Sequence, residues 1–412
     1  MTKKIILIIA IVVIVGLAAL IVLGPTRDKE TDGGGFSLGN FFPFGQSENT
    51  PPETDLVNEG QNMEEIPDVS ENQEIPRLRK ISNEPVAGAV AFLRGTTTIV
   101  RFVEKGTGNV YEASSANKQV GRLTNTTIPQ IVNALWLQDG SGFLAQTLVS
   151  GSEIIETAFV KINRVSSTTV ENLTPYTTVI SKLPTGIRGI AISPDSKKII
   201  YYTLQSGSSW YLSNPDGTQK TLLTTHPLSE WLVSWPSSNT AVVQSKPSGS
   251  ANSYTYTLNI SSKNLVKTGI GGTGLRAIAN KDISKLLISE GGNVPRLSIY
   301  NNNTNEVINL GTNTMVEKCV WAYRDSEAVL CAVPRGIPRG NYPDSWYKGI
   351  ISTEDSIRKI DVVDNVFYNN IDLTKEGNEE IDVSDIAASP DDSHLVFKNK
   401  TNGLLWMLRL EE

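Results

Sequence analysis

Histidine and cysteine are both scarce, with two of each in 412 residues. His226 and His394 each lie beside a turn, with no His, Cys or carboxylate at metal-ligand spacing. A histidine-based metal site is therefore disfavoured, and both read as solvated turn residues. No cysteine follows the apolar run at the N-terminus, which leaves a lipoprotein anchor unsupported. There is no Gly-x-Ser-x-Gly, hence no nucleophile elbow of the α/β-hydrolase kind. No glycine-rich phosphate loop precedes a helix, so Gly271-Gly272 and Gly291-Gly292 read as loop glycines and no cofactor is implied. Beyond residue 75 no ten-residue stretch has a helical period. Basic charge is lacking too: the formal net charge of −6 argues against nucleic acid as a partner.

The acidity is local. From Arg27 to Glu74 there are twelve Asp and Glu against Arg27 and Lys29, so residues 75–412 are nearly neutral. Such an acidic stretch reads as a solvated, disordered tether. Phe36, Phe41, Phe42 and Phe44 lie in it, either dipping into a headgroup region or incidental to a flexible chain. As a coil, the segment reaches roughly 40 Å.

What is present begins with Ile5–Leu23, nineteen apolar or small residues without charge. As a helix this run spans about 28 Å, close to a bilayer's hydrocarbon core. Its length predicts a retained single-pass anchor at residues 1–24, N-terminus in the cytoplasm and bulk outside. The alternative is a signal peptide cleaved near Gly16-Leu17-Ala18. The linker is then 25–74 and the folded domain 75–412. An extracytoplasmic location permits a disulfide between Cys319 and Cys331, provided residues summing to 650 pair across one hairpin. Otherwise they are two buried small residues. Asn172-Leu173-Thr174 matches a glycan acceptor, a weak signal.

The folded part repeats itself. Seven times an apolar residue is followed by a turn of Ser, Pro, Asp, Gly or Asn, then by an apolar β-prone run. The last apolar residues before the turns are Phe92, Trp136, Ile192, Trp235, Ile278, Trp321 and Ala388, at steps of 44, 56, 43, 43, 43 and 67. A period near 43 is what a four-stranded propeller blade occupies. Runs such as IIYY (199–202), without strict alternation, predict strands covered on both faces. The last unit lacks a fourth strand, and IPRLRKIS (75–82) is a spare one; pairing them closes the ring. The prediction is all-β: a seven-bladed β-propeller, with six or eight blades as alternatives, after one transmembrane helix and a disordered linker.

The turns at Ser193-Pro194-Asp195 and Ser389-Pro390-Asp391, with Asp139-Gly140 after Trp136, resemble the repeat of TolB-like and WD-repeat-like propellers. The Gly-His and Trp-Asp dipeptides of true WD repeats are missing, which favours the TolB-like side. The resemblance implies a ring of blades used as a binding platform.

The long last step marks two large loops on one face. PRGIPRGNYPDSWYKG (334–349) is basic and aromatic, and Arg335, Arg339, Tyr342, Trp346, Tyr347 and Lys348 are candidate partner contacts. The competing reading has Tyr342 and Trp346 folding back to cap blade 6 while the arginines pair next door. The neighbouring loop holds Asp372, Glu376, Glu379, Glu380, Asp382 and Asp385, whose spacing matches no EF-hand and reads as a solvated acidic loop rather than a calcium site. Three function classes remain. The favoured one is a non-enzymatic, membrane-anchored platform binding an envelope protein or polymer. The others are a propeller hydrolase or lyase acting on carbohydrate in the central channel, and a structural accessory of a surface machine such as a pilus or secretion system. The predicted inner strands carry few charges, only Arg188 in IRGIAI and Asp385 in SDIAAS, which weakens the enzyme reading.

Overall fold

The repeat arises from one piece of turn chemistry. In the third unit the Ser193 hydroxyl donates to Asp195 Oδ1 at 2.7 Å, which accepts from the Lys197 amide at 3.1 Å, while the Lys198 amide donates to Ser193 Oγ at 2.9 Å. Ser196 takes a positive φ of 60° to close the turn. The seventh unit repeats this with Ser389, Asp391, Ser393 and His394, and with Asp392 at φ 57°. A short polar side chain that can satisfy neighbouring amides is what such turns select.

A computed structural model describes residues 74–165 and 176–410, and these form seven antiparallel sheets of four strands each. Each of blades 1–6 is a meander in sequence order, with strands a to d; they span 86–122, 131–182, 187–226, 231–273, 276–312 and 319–372. Every consecutive pair of blades touches, and blade 7 touches blade 1. The a strands are innermost. The d strands form the rim and carry exposed apolar residues such as Val179, Val266, Val307 and Phe367.

Packing explains the unalternating runs. Along Ile199–Gln205, Ile199 and Tyr201 pack with Leu144 and Phe159 of blade 2, whereas Ile200 and Tyr202 pack with Trp231 and Val243 of blade 4. Both faces of the strand are therefore core. The pleat alternates between two apolar neighbours rather than between core and water.

The ring closes through its ends. Blade 7 consists of Val383–Ala388, His394–Asn399 and Leu405–Arg409, with Leu78–Lys80 as its fourth strand. The register is Leu78 opposite Leu408, Arg79 opposite Met407 and Lys80 opposite Trp406. Leu78 and Ile81 are buried at this seam.

Several expectations are settled or corrected here. Cys319 faces Cys331 in register across strands a and b of blade 6, and their sulfurs are bonded. His226 is no solvated turn residue. Its ring lies edge-on to Trp231 and Tyr256, and burial lowers its pKa. His394 Nδ1 lies 2.7 Å from Ser393 Oγ and 3.2 Å from Thr98 Oγ1 of blade 1. Two short helices, Asp344–Tyr347 and Leu373–Gly377, interrupt the β pattern in the large loops. Among the described residues no helix is long and apolar enough to cross a membrane. The proposed anchor, the tether with its four phenylalanines, and Asn172-Leu173-Thr174 all lie outside the described residues.

Candidate functional site

The b–c loops and d–a loops emerge together on one face of the ring, the a–b turns on the other. On the first face the blade 6 insertion and the acidic loop meet, as the topology requires. The insertion also crosses toward blades 4 and 5. Asp344 Oδ2 accepts the Gly249 amide at 2.5 Å and the Ser248 hydroxyl at 3.1 Å in the blade 4 b–c loop. The Tyr342 amide donates to Gly292 O at 2.9 Å in blade 5. A Cβ on Gly291 would stand 2.4 Å from Tyr342 O, so only glycine lets the insertion settle this close.

Under this cap lies a buried ionic cluster. Lys318 ends the 3₁₀ turn Val316–Lys318 just before the a strand of blade 6 and is fully buried. Its Nζ lies 2.6 Å from Asp355 Oδ2, 2.5 Å from Asp382 Oδ1, 2.9 Å from Thr353 Oγ1 and 3.2 Å from Val383 O. Asp355, at the start of the c strand, also accepts the Val383 amide at 2.8 Å. Asp382 accepts Trp346 Nε1 at 3.0 and 3.1 Å and the Ser352 hydroxyl at 3.1 Å. One cation thus faces two carboxyls away from water, which favours retention of a proton on one of them. Burial pushes the Asp355 carboxyl up against the pull of Lys318. Burial also works against the Asp382 charge, but Lys318, Trp346 and Ser352 outweigh it and hold that carboxyl low.

The six candidate contacts divide. Trp346 and Tyr342 point inward: Trp346 against Asp382 and below Lys400, Tyr342 with its hydroxyl donating to Pro338 O at 3.0 Å. Burial, with Asp382 and Asp355 adding, pushes the Tyr342 hydroxyl to about 12. Arg335 reaches Asp372 at 3.0 Å, in the acidic loop. Tyr347 is exposed with its hydroxyl on Glu317, and Arg339 and Lys348 are exposed too. The loop is thus a cap with a cationic outer surface. The acidic loop is not uniformly solvated either: Asp382 is buried, Asp372 caps the helix Leu373–Gly377 by accepting from the Lys375 amide, and Glu379 pairs with Lys80.

The opposite face is different. At the ends of the a strands lies a cavity of ~470 Å³ lined from blades 2 to 6, with Trp235, Pro236, Ile278, Trp321 and Tyr323 prominent. Among the described lining residues Lys281 is the only charged one. Trp321 Nε1 donates to Ile278 O at 3.2 Å, and Trp136 Nε1 donates to Gly88 O at 3.1 Å, so these two anchors latch blade 6 to blade 5 and blade 2 to blade 1. Trp235 Nε1 is buried without a partner. Tyr323 is exposed, and its amide donates to Asp392 Oδ1 of blade 7 at 2.8 Å. Sequence reasoning missed this mouth because its lining comes from five blades.

No protein-family model matches the chain, and no curated protein matches it. Solved structures do. An oligogalacturonate lyase in complex with manganese is similar at 11% identity and TM-score 0.52, over 82% of this chain and 94% of the lyase. TolB from Acinetobacter baumannii is similar at 12% identity and TM-score 0.41, over 75% of this chain; this chain spans 61% of the TolB structure. The likeness is one of fold. The seven-bladed propeller expected from the repeat spacing is the architecture observed. Among the described residues no three His, Cys, Asp or Glu side chains are grouped so that they could hold a metal ion.

Proposed function

We propose that this propeller is a non-enzymatic binding module, kept at a membrane by residues 5–23 and carried outside the cytoplasm on the 25–74 tether. It receives a segment of an envelope protein or polymer at its a–b face. The contrast between the two faces carries this reading: on one the chain's own insertion packs over blades 4 to 7, and the other opens on an aromatic, proline-lined cavity of ~470 Å³. Trp, Tyr and Pro around a concave, mostly apolar site suit an apolar or aromatic side chain of an extended segment. Among the described residues lining the mouth there is no carboxylate or histidine.

The shared fold with an oligogalacturonate lyase in complex with manganese favours a second reading, a carbohydrate lyase or hydrolase working in the channel. The described residues do not supply a fitting donor set for that metal. An accessory role in a surface machine would use the same a–b surface.

The test is selection of peptides on the full chain, followed by affinity measurement. Tyr323→Ala and Lys281→Ala alter the mouth; Arg339→Ala and Lys348→Ala alter the cap's outer surface. Loss of affinity confined to the mouth variants is expected. Loss confined to the cap variants would place binding on the other face and sink the reading. Cleavage of oligogalacturonate by the full chain with manganese would establish the second reading.

A further inference from the structure

The buried Lys318–Asp355–Asp382 cluster has more chemistry than a salt bridge needs. An amine lies 2.6 Å from one buried carboxyl and 2.5 Å from another, and burial raises the pKa of the first while Lys318, Trp346 and Ser352 lower that of the second. A nitrogen 2.6 Å from one carboxyl oxygen stands about 3–3.5 Å from that group's carbon, the separation from which bonds form. Asp382 lies 2.5 Å from the same nitrogen, within reach of its proton.

We propose that Lys318 and Asp355 condense into an intramolecular amide, with Asp382 as the base that takes the proton from the attacking amine. The Lys318 ammonium gives one proton to the Asp382 carboxylate. The freed nitrogen lone pair attacks Cγ of the neutral Asp355 carboxyl, forming a C–N bond and a tetrahedral centre. A second nitrogen proton passes through Asp382 to one hydroxyl of that centre, the C–O bond breaks, and water leaves. The products are one amide, one water and a protonated Asp382. Charge is unchanged and no oxidant or co-reactant is required.

The surroundings favour each step. Thr353 Oγ1 and the Val383 amide fix the Asp355 oxygens, at 3.0 and 2.8 Å. Trp346 roofs the site and excludes bulk water, which would otherwise oppose condensation. Ser352, exposed and bonded to Asp382 at 3.1 Å, links the base to solvent, where it releases its extra proton. The amide joins the start of the a strand to the start of the c strand. The adjacent Cys319–Cys331 bond joins a to b, so the three inner strands of blade 6 become one covalent unit.

Mass spectrometry of a tryptic digest of the reduced full chain decides the matter. An amide at Lys318 blocks cleavage there and yields peptide 297–324 joined to 349–358, lighter than their sum by one water. That species is expected, with fragment ions placing the link at Lys318 and Asp355. Asp382→Asn, checked for folding by its thermal transition, should leave the two peptides separate. Ordinary cleavage after Lys318 with no joined species would overturn the proposal. So would a link from Lys318 to peptide 376–398, which holds Asp382, or undiminished linking in folded Asp382→Asn.

Discussion

Trp346→Ala tests whether the blade 6 insertion is a cap or a free arm. The side chain is almost wholly buried, so truncation removes core packing that costs about 3–5 kcal/mol. It also strips Asp382 of the indole donor at 3.0 Å, a charge-assisted hydrogen bond worth about 1.5–3 kcal/mol. Trp346→Phe keeps most of the ring and loses only the donor, which separates the two contributions. An unfolding entropy of about 2.1 cal/mol/K per residue gives about 0.7 kcal/mol/K over the roughly 330 residues of the ring. The Ala variant should therefore melt about 6–11 °C lower and the Phe variant about 2–4 °C lower. Calorimetry on the full chain reads both. Unchanged melting in the two variants would refute the cap and return Trp346 to the surface as a partner contact.

The seam, the disulfide, an ion-pair network and a close glycine contact give four further expectations. Leu78→Ala leaves a cavity where the ring closes and should cost about 2–5 kcal/mol, read as a lower melting temperature. Replacing Cys319 and Cys331 together by Ser should cost about 3 kcal/mol, and reducing the unmodified chain should lower its melting temperature as far as the double replacement does. Burial opposes the charge on Glu112, but Arg94 and Arg101, each 2.9 Å away, hold its carboxyl below the ordinary value. Its stabilisation is present above the unfolded-state value and disappears as pH falls through the folded one. Glu112→Gln should therefore cost about 1.5 kcal/mol at neutral pH, a gap that closes from about pH 5 downward in denaturant titrations. Gly291→Ala should push the Tyr342 carbonyl away and speed amide exchange in the helix Asp344–Tyr347.

The ring was legible in the sequence because its signals are local. Ile192 before Ser-Pro-Asp and Ala388 before Ser-Pro-Asp set strand ends within a few residues, and the spare strand near Leu78 had one unfilled place to go. The Cys319–Cys331 bond was legible only as one of two alternatives, conditional on a hairpin register that the structure supplies. Lys318 and Asp382 were not legible, because a charged residue looks the same in sequence whether it faces water or an opposite charge. A hint existed: Asp382 is flanked by Ile381 and Val383, both buried, at the start of an inner strand. Trp346 could be read either as a cap or as a contact, since an aromatic on a long loop fits both until the loop is placed. The a–b cavity depends on the relative placement of blades 2 to 6, which no local pattern encodes.

The seam at Leu78–Lys80 also sets a timetable for biosynthesis. This strand is among the first of the ring to be made, yet its partner Leu405–Arg409 is the last. About 330 residues separate them, and at about 5–20 residues per second the early strand waits roughly 15–65 s for its mate. Throughout that interval Leu78–Lys80 has no partner strand, and the unsealed edges at both ends of the growing array are open to chaperones or to mispairing with a second nascent chain.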